Sequence, residues 1–272
     1  MGYQLREVHL PLLPKGSPTL RILHFSDLHL TPRRKWEIRD IRGFQSLKPD
    51  LVVATGDFLG DGRAIDTVLL SLEPILSLPG FFVFGSNDYF GPRFKNPFSY
   101  LKKDSGERKL GKTLETSKLN EGLTSRGWVN LNDKKVLKTV KGLSIEARGT
   151  DDAHLNLDNY EKVQGLRNPK ADLSIGITHA PYGRVLREMA RDNLDLIFAG
   201  HTHGGQVRFP WFGGSRSLTT NCDLPNWRSR GLTKVENEPH LSVSAGMGYS
   251  RFAPIRIFCP SEVTVLSLHA KN

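Results

Sequence analysis

The chain has 272 residues, 38% of them hydrophobic, which is enough to bury a sizeable core in one domain spanning residues 1–272. Two cysteines, Cys222 and Cys259, are too few for a disulfide framework or a cysteine-ligated zinc site, and no stretch approaches the ~20 apolar residues that cross a bilayer, so we expect a soluble, cytoplasmic protein. The formal net charge of +10 indicates an anionic partner, which could be a phosphorylated substrate, nucleic acid or an anionic membrane contacted peripherally.

In the first half of the chain, apolar runs of strand length alternate with helical spacing. After a short edge strand over 8–13, buried strands are predicted at 20–25, 51–54 and 81–84, with helices over 36–47 and 64–78 between them. Polar residues follow each buried strand: Asp27 and His29, then Asp57, then the turn Gly85-Ser86-Asn87-Asp88. Because strand-helix-strand repeats build parallel sheets, we expect these strand ends to share one edge.

Two strands in the second half of the chain end in histidines. The strand over 173–178 ends at His179, and the strand over 196–199 leads into a glycine-rich turn with His201 and His203. Helices are predicted at 118–127 and 185–193, a hairpin at 136–147, and further strands at 207–209, 241–245 and 263–268. The segments 213–215 and 225–231 are predicted to be loops.

A basic segment interrupts this pattern at about 94–118, directly after the Gly85 turn. It is rich in lysine and arginine and contains few acids. It is interpreted either as a solvated loop insertion or as a flap that recruits an anionic substrate to the strand ends.

The residues at the strand ends have the chemistry of metal ligands. A set of carboxylates, imidazoles and one amide suits a manganese, iron, zinc or magnesium ion. It does not resemble a structural zinc site, which usually contains thiolates. Seven such residues could fill two metal positions with one bridging carboxylate, for which Asp57 is the natural choice because its strand lies between the other two. The set is Asp27, His29, Asp57, Asn87, His179, His201 and His203.

Five motifs in this order resemble those of the calcineurin-like metallophosphoesterases. They are Asp27-Leu28-His29, Gly56-Asp57, Gly85-Ser86-Asn87-Asp88, His179 and Gly200-His201-Thr202-His203. The extended forms of the first and last motifs are similar to a bacterial subgroup of the YkuE and YaeI type, and further features look like its actinobacterial branch. The resemblance implies an α/β fold, a four-layer α/β/β/α sandwich of two mixed sheets flanked by helices, and a phosphoesterase that uses two divalent ions, with manganese favoured.

The resemblance also implies a division of the ligands between the two ions. Asp27, His29 and His203 would hold one ion, Asp57 would bridge, and His179 and His201 would hold the other together with an oxygen from the Gly85 turn. The chain departs from the family there: the family has Gly-Asn-His-Asp or Gly-Asn-His-Glu, and a gap-free match puts Ser86 at the asparagine position and Asn87 at the histidine position. We expect Asn87 to be the ligand, because an amide oxygen is a better neutral ligand than a hydroxyl.

In the implied mechanism, a metal-bridging hydroxide attacks phosphorus and no protein nucleophile is needed. The absent family histidine leaves the proton donor open: it could be His154 or metal-bound water, and an acidic leaving group would need none. Asn87 is kept as a catalytic candidate because it occupies that position, and His154 is a candidate acid in a segment, 151–154, that otherwise suggests a turn with a helix cap. Arg93 or a lysine of the basic segment could bind the substrate phosphate.

Three functional hypotheses follow. The first is a phosphoesterase or pyrophosphatase acting on a lipid-linked or membrane-associated phosphate, favoured by the subgroup, the charge and the aromatic residues Phe90, Phe94, Phe98 and Tyr100. The second is a nuclease or cyclic-nucleotide phosphodiesterase, ranked lower because an aromatic-basic recognition motif is lacking. The third is a catalytically weak metal-binding interaction module. The sequence does not decide the oligomeric state.

Overall fold

The computed structural model describes residues 2–92, 110–211, 214–235, 238–249 and 255–272. Its strands, numbered in chain order, are β1 (Gln4–Leu13), β2 (Leu20–Phe25), β3 (Leu51–Ala54), β4 (Gly80–Phe82), β5 (Trp128–Asn130), β6 (Lys134–Val140), β7 (Leu143–Gly149), β8 (Leu173–Ile177), β9 (Leu196–Ala199), β10 (Arg208–Trp211), β11 (Gly214–Ser217), β12 (Gly231–Val235), β13 (Glu238–Val243) and β14 (Glu262–Ala270). Its α-helices are α1 (Lys35–Arg42), α2 (Ile65–Leu76), α3 (Ser86–Tyr89), α4 (Thr116–Thr124) and α5 (Gly183–Arg191). Within these ranges, no helix combines the length and the apolar character that crossing a bilayer requires.

The strands form two six-stranded mixed sheets and a separate hairpin. The first sheet has the order β1-β14-β2-β3-β4-β5, in which β2 to β5 run parallel and β14 runs antiparallel to β2. The second has the order β12-β13-β9-β8-β7-β6, in which β7, β8, β9 and β13 run parallel and the two outer strands run antiparallel to their neighbours. In the second sheet the parallel strands lie at the centre, whereas in the first they run from β2 to the edge strand β5.

Apolar side chains fill the space between the sheets and cover both outer faces. Ile22 and Val53 of the first sheet pack in one core with Ile175 and Phe198 of the second. A second core joins the other face of the first sheet to helices α1, α2 and α4, and a third joins the second sheet to α5. Because β3 is covered on both faces, its four residues form an uninterrupted apolar run. The predicted four-layer α/β/β/α sandwich is confirmed.

Several predicted elements have different bounds in the structure. The helix expected over 36–47 changes at Gly43 into a 3-10 helix, Gly43–Leu47. The loop predicted over 213–215 is wrong for its second half, because Gly214 begins β11, which pairs antiparallel with β10. The end of the predicted basic insertion is ordered rather than loop: Leu114 donates to the Tyr89 carbonyl, and α4 begins at Thr116. Residues 94–109 of that insertion lie outside the described residues.

Candidate metal centre

The first sheet delivers three of the candidate ligands from neighbouring parallel strands. Asp27 and His29 follow β2, and Asp57 follows β3. Backbone bonds hold these two loops side by side, since the Asp27 amide donates to the Gly56 carbonyl and the His29 amide donates to the Asp57 carbonyl. The carboxyl ends of parallel strands therefore meet as the sequence predicts.

The second sheet brings its histidines to the same edge. His179 follows β8, and His201 and His203 follow β9. The backbone amide of His201 donates to Asp27 Oδ2 at 3.0 Å, which joins the end of β9 directly to the end of β2 across the two sheets. The two sheets thus bring their polar residues together in one cluster at a single edge of the sandwich.

Four of the predicted ligands converge on one point. Ligand atoms of Asp27, His29, Asp57 and His203 all lie within 4.8 Å of one another. His29 Nε2 lies 3.2 Å from His203 Nε2 and 3.5 Å from Asp57 Oδ2, while His203 Nε2 lies 3.5 Å from Asp27 Oδ1. Two carboxylates and two imidazoles in this arrangement can hold one divalent cation.

His179 also approaches Asp57. Its Nε2 lies 3.5 Å from Asp57 Oδ2, the same oxygen that His29 approaches at 3.5 Å. The His201 ring lies 5.1 Å from the His179 ring, centroid to centroid. His201 Nε2 lies 3.1 Å from the Asn221 carbonyl oxygen, so this nitrogen carries the proton and Nδ1 is the atom that could bind a metal.

Asn87 lies close to Asp57 on the side chain and on the backbone. Ser86 precedes it in the same short helix, α3. The Asn87 side-chain amide lies 2.7 Å from Asp57 Oδ2, and its backbone amide donates to Asp57 Oδ1 at 2.8 Å. A 180° rotation of the amide group about its last torsion would exchange the positions of its oxygen and its nitrogen. Asn87 as the amide ligand of a second ion stays a prediction that this geometry supports.

Burial sets the protonation of the histidines. Desolvation lowers the pKa of His29 to about 4 and the pKa values of His201 and His203 to about 3, so these rings are neutral and able to bind a metal. His179 differs: burial opposes its charge, but the Asp57 carboxylate outweighs burial and raises its pKa well above the ordinary value. Burial likewise opposes ionisation of Asp57, and His179 nevertheless holds the pKa of that carboxyl well below its usual range.

Unsatisfied polar atoms show that the site suits a cation. Asp27 Oδ1, His179 Nε2 and His203 Nδ1 are buried and have no hydrogen-bond partner among the described residues. Leaving such atoms unpaired inside a protein is costly, and Asp27 Oδ1 and His179 Nε2 face the carboxylate and imidazole groups of the cluster. Positive charge between Asp27 and Asp57 would compensate both carboxylates. The residues present therefore fit divalent metal ions.

Glycines allow the strand ends to approach so closely. A Cβ on Gly85 would lie 2.6 Å from His179 Nε2 and closer still to Asp57 Oδ1. A Cβ on Gly200 would lie 2.8 Å from Asp27 Oδ2 and would overlap the Ser26 hydroxyl. Both positions must lack a side chain for the ligands to occupy their places.

The backbone of the candidate ligands is itself unusual. Five of them adopt left-handed conformations, with φ between 42° and 68°, which residues other than glycine rarely do. Such outliers cluster at functional sites, where the surrounding fold imposes them. The five are Asp27, His29, Asp57, His201 and His203.

Sequence reasoning did not identify the role of Asp88. This buried carboxylate accepts the backbone amides of Asp57 at 2.8 Å, Gly85 at 3.0 Å and Leu59 at 3.1 Å. It thereby fixes the loop after β3 against the turn after β4. Its position as the last residue of the Gly-Ser-Asn-Asp motif was the available signal.

The predicted proton donor lies beside the second position. The His154 ring is 4.2 Å from the His201 ring, centroid to centroid, and His154 Nδ1 lies 3.1 Å from the Tyr182 hydroxyl. Asp152, in the cluster that the sequence suggests as a turn or as a source of a further polar group for the site, accepts the His154 backbone amide at 2.9 Å. Burial raises the pKa of Asp152 to about 7. Arg93, the predicted phosphate-binding residue, lies outside the described residues.

A four-layer sandwich with carboxylates and imidazoles gathered at one edge has the architecture of a metallophosphoesterase. The chain belongs to the calcineurin-like phosphoesterase family, whose model matches residues 20–205. The predicted membership of this family is confirmed, and members of it typically bind two metal ions.

Two sequence relatives from Bacillus subtilis agree with membership of this family. The uncharacterized protein YpbG of Bacillus subtilis (strain 168) is 26% identical over 260 residues, covering 90% of this chain and 89% of YpbG. The uncharacterized metallophosphoesterase YkuE of the same organism is 25% identical over 270 residues, covering 96% of this chain and 83% of YkuE. Among solved structures, purple acid phosphatase PPD1 from yellow lupin seeds has a TM-score of 0.50 at 15% identity, covering 90% of this chain and 47% of that one. This last likeness concerns the fold alone.

Proposed function

We propose that the protein hydrolyses a phosphoester or pyrophosphate bond with the help of two divalent metal ions. The observation that carries this proposal is the position of Asp57, whose Oδ2 atom lies 3.5 Å from His29 Nε2 and 3.5 Å from His179 Nε2. A carboxylate that contacts an imidazole of each proposed ligand set is the arrangement needed to bridge two ions.

The residues divide into two ligand sets around Asp57. Asp27, His29 and His203 would hold one ion, and Asn87, His179 and His201 would hold the other. We favour manganese, with iron, zinc and magnesium as alternatives, because the donors are carboxylates, imidazoles and an amide. When bound, two such ions neutralise the phosphoryl oxygens and lower the pKa of water that is to attack phosphorus.

The chain's own groups orient the ligands and supply the remaining proton. The Thr55 carbonyl lies 2.6 Å from His179 Nδ1 and directs Nε2 of this ring toward Asp57. The Asn87 backbone amide holds Asp57 Oδ1, and the His201 backbone amide holds Asp27 Oδ2. We assign His154 as the acid that donates a proton to the leaving oxygen, since its ring lies against His201 and the Tyr182 hydroxyl anchors Nδ1.

We propose a lipid-linked or otherwise membrane-associated phosphate as the substrate class. The net charge of +10 supports an anionic substrate or surface. Both cysteines are free thiols, which supports a reducing compartment and a cytoplasmic protein at the membrane periphery.

The test is hydrolysis of bis-p-nitrophenyl phosphate and p-nitrophenyl phosphate by metal-stripped protein reloaded with manganese. We expect manganese to restore hydrolysis, and we expect Asp57→Asn to reduce it about a hundredfold or more and to lower the number of bound ions. Asp66→Asn is the matched control, because the Asp66 side chain is 77% exposed on α2 and should leave both readouts unchanged.

Each outcome separates the proposal from its alternatives. Two bound ions without hydrolysis of either ester would contradict the enzyme and favour an interaction module. Hydrolysis that Asp57→Asn retains would contradict the bridging role. Manganese-dependent cleavage of DNA, RNA or cyclic nucleotides at a rate above that of the simple esters would redirect the substrate class toward nucleic acid.

A further inference from the structure

An exposed apolar surface lies on the His203 side of the metal centre. Six of the twelve large apolar side chains that are exposed in the described residues belong to three short segments, 207–218, 226–228 and 255–258. Exposed apolar side chains that are grouped in this way, rather than scattered singly, mark interaction sites. The six, which we call the apolar patch, are Phe209, Leu218, Trp227, Ile255, Ile257 and Phe258.

Backbone pairing joins three of the six patch residues, Phe209, Leu218 and Ile257. Val207 pairs with Ile257 in a parallel bridge, and the Leu218 amide donates to the Val207 carbonyl at 3.0 Å on the other side. Directly opposed residues on neighbouring strands point to the same face, and so do residues two apart along one strand. Ile257, Val207 and Leu218 therefore form one row, and Phe209 extends it on the same face.

The opposite face of these segments is polar and turned inward. Arg208 is 3% exposed and donates to the Gly204 carbonyl at 2.8 Å, and Arg256 donates to the carbonyls of Ala245 and Gly248. The alternation is thus inverted relative to an ordinary surface strand, because the charged residues are buried and the apolar ones face solvent. Ordinary folding does not require this inversion, so a partner is indicated.

Positive charge surrounds the patch. Arg216 is exposed and pairs directly with Phe209 across β10 and β11. The Arg228 guanidinium lies 4.8 Å from the centre of the Trp227 ring. Apart from the buried Arg208, residues 204–235 contain four arginines or lysines and one acid, Asp223. Apolar and aromatic side chains among cations match a lipid surface that carries negative head groups.

The patch is joined to the metal centre by direct contacts. The Ile257 amide donates to the Gln206 carbonyl at 2.8 Å, and the Gln206 amide donates to the His203 carbonyl at 3.0 Å. The Cys259 thiol donates to that same carbonyl at 3.3 Å. A surface bound to the patch would lie next to the turn that carries His201 and His203.

We infer that the apolar patch docks the protein on a membrane surface containing anionic lipid and so presents the metal centre to phosphates in that surface. The identity of the substrate rests on the proposed function, whereas the docking surface rests on the pairing and exposure of the patch itself. The patch shares no residue with the basic segment at 94–118, on which the membrane hypothesis from sequence partly depended.

The test uses the intact protein and vesicles of phosphatidylcholine, with and without phosphatidylglycerol, in a sedimentation assay. We expect binding to the anionic vesicles, and a loss of at least about tenfold in Phe209→Gln combined with Phe258→Gln. The matched control combines Leu137→Gln with Leu166→Gln, two apolar residues that are 48% and 72% exposed but lie outside the patch, and should bind like the parent. Arg216→Gln should weaken binding to the anionic vesicles about fivefold.

The same samples are assayed for manganese-dependent hydrolysis of bis-p-nitrophenyl phosphate and for oligomeric state by analytical ultracentrifugation. No binding by the parent, or equal loss in the two double variants, would overturn the docking surface. A dimer that dissociates only in the patch variant, without vesicle binding, would also overturn it and assign the patch to a second copy of the chain. Vesicle binding without ester hydrolysis would retain the surface and reject the proposed function, so the two failures are distinguishable.

Discussion

The Nδ1 nitrogen of His179 lies 2.6 Å from the carbonyl oxygen of Thr55. Because a carbonyl only accepts hydrogen bonds, this contact places a proton on Nδ1 and reserves Nε2 for Asp57 or for a metal. Thr55 belongs to the loop after β3 and His179 to the loop after β8, so the bond also ties the two sheets together at the site. The Thr55 hydroxyl in turn lies 3.1 Å from His24 Nε2.

The contact between Gly85 and the candidate ligands predicts the effect of one methyl group. In Gly85→Ala, the new Cβ would displace Asp57 or His179, because it would lie 2.6 Å from His179 Nε2. We expect manganese affinity and ester hydrolysis to fall between about tenfold and a hundredfold. Gly43→Ala is the control, since a Cβ at Gly43 meets no atom within 4 Å. Equal behaviour of the two variants would show that Gly85 does not shape the site.

The turn after β4 contains two candidate ligands, and a pair of alanine substitutions separates them. Asn87→Ala removes the amide that lies 2.7 Å from Asp57 Oδ2 and should weaken binding of the second manganese ion by tenfold to about a hundredfold. Ser86→Ala should leave the stoichiometry at two ions. Isothermal titration calorimetry with manganese measures the dissociation constants of both ions. The reverse result would mean that Ser86 is the ligand, as a gap-free match to the family motif places it.

The proposed acid His154 predicts a dependence on the leaving group. His154→Gln should slow hydrolysis of a phenyl phosphodiester, whose leaving group needs a proton, by about a hundredfold. It should slow the p-nitrophenyl diester much less, because that leaving group departs as a stable anion. Rates of both esters are measured at saturating manganese. An equal loss with the two esters would assign His154 to packing against His201 rather than to proton transfer.

The buried His24 predicts how stability depends on pH. Burial lowers its pKa from 6.5 to about 3, so the folded protein keeps this ring neutral while the unfolded chain takes up a proton below pH 6.5. The unfolded state then binds more protons, and the free energy of unfolding falls as the pH drops, by up to ~1.4 kcal/mol per pH unit from this residue.

The measurement is urea denaturation of metal-free protein at pH 7 and pH 5, with His24→Gln as the comparison. The parent should lose ~2 kcal/mol more than the variant between these two pH values. The other buried histidines contribute to both proteins and cancel in the difference. Equal losses would mean that His24 is not the group responsible.

The site could be located from the sequence because local patterns predict the strands, and the parallel topology then predicts which strand ends meet. An apolar run such as 51–54 signals a strand covered on both faces, and parallel strands bring their carboxyl ends to one edge. Asp57 and His203 could therefore be placed together although 146 residues separate them, and the structure brings their ligand atoms within 4.8 Å. The apolar runs and the parallel strand order were therefore sufficient to predict that these ligands meet.

Other features had no local signal. Strand β5 has only three residues, too few for a periodicity, and forms because β4 lies beside it. The hairpin of β10 and β11 was missed in part because its apolar residues face solvent, which inverts the usual pattern. Asp88 acts through the backbone amides of Asp57 and Leu59, about thirty residues earlier, and no spacing rule relates them.

The left-handed backbone of five candidate ligands has a consequence for how the protein acquires its metal. Each such residue costs about 1 kcal/mol of conformational free energy, which packing elsewhere in the sandwich must offset. The loops are consequently preorganised: an arriving cation meets side chains already in position and loses little entropy to ordering them. Metal uptake should then proceed without closure of these loops.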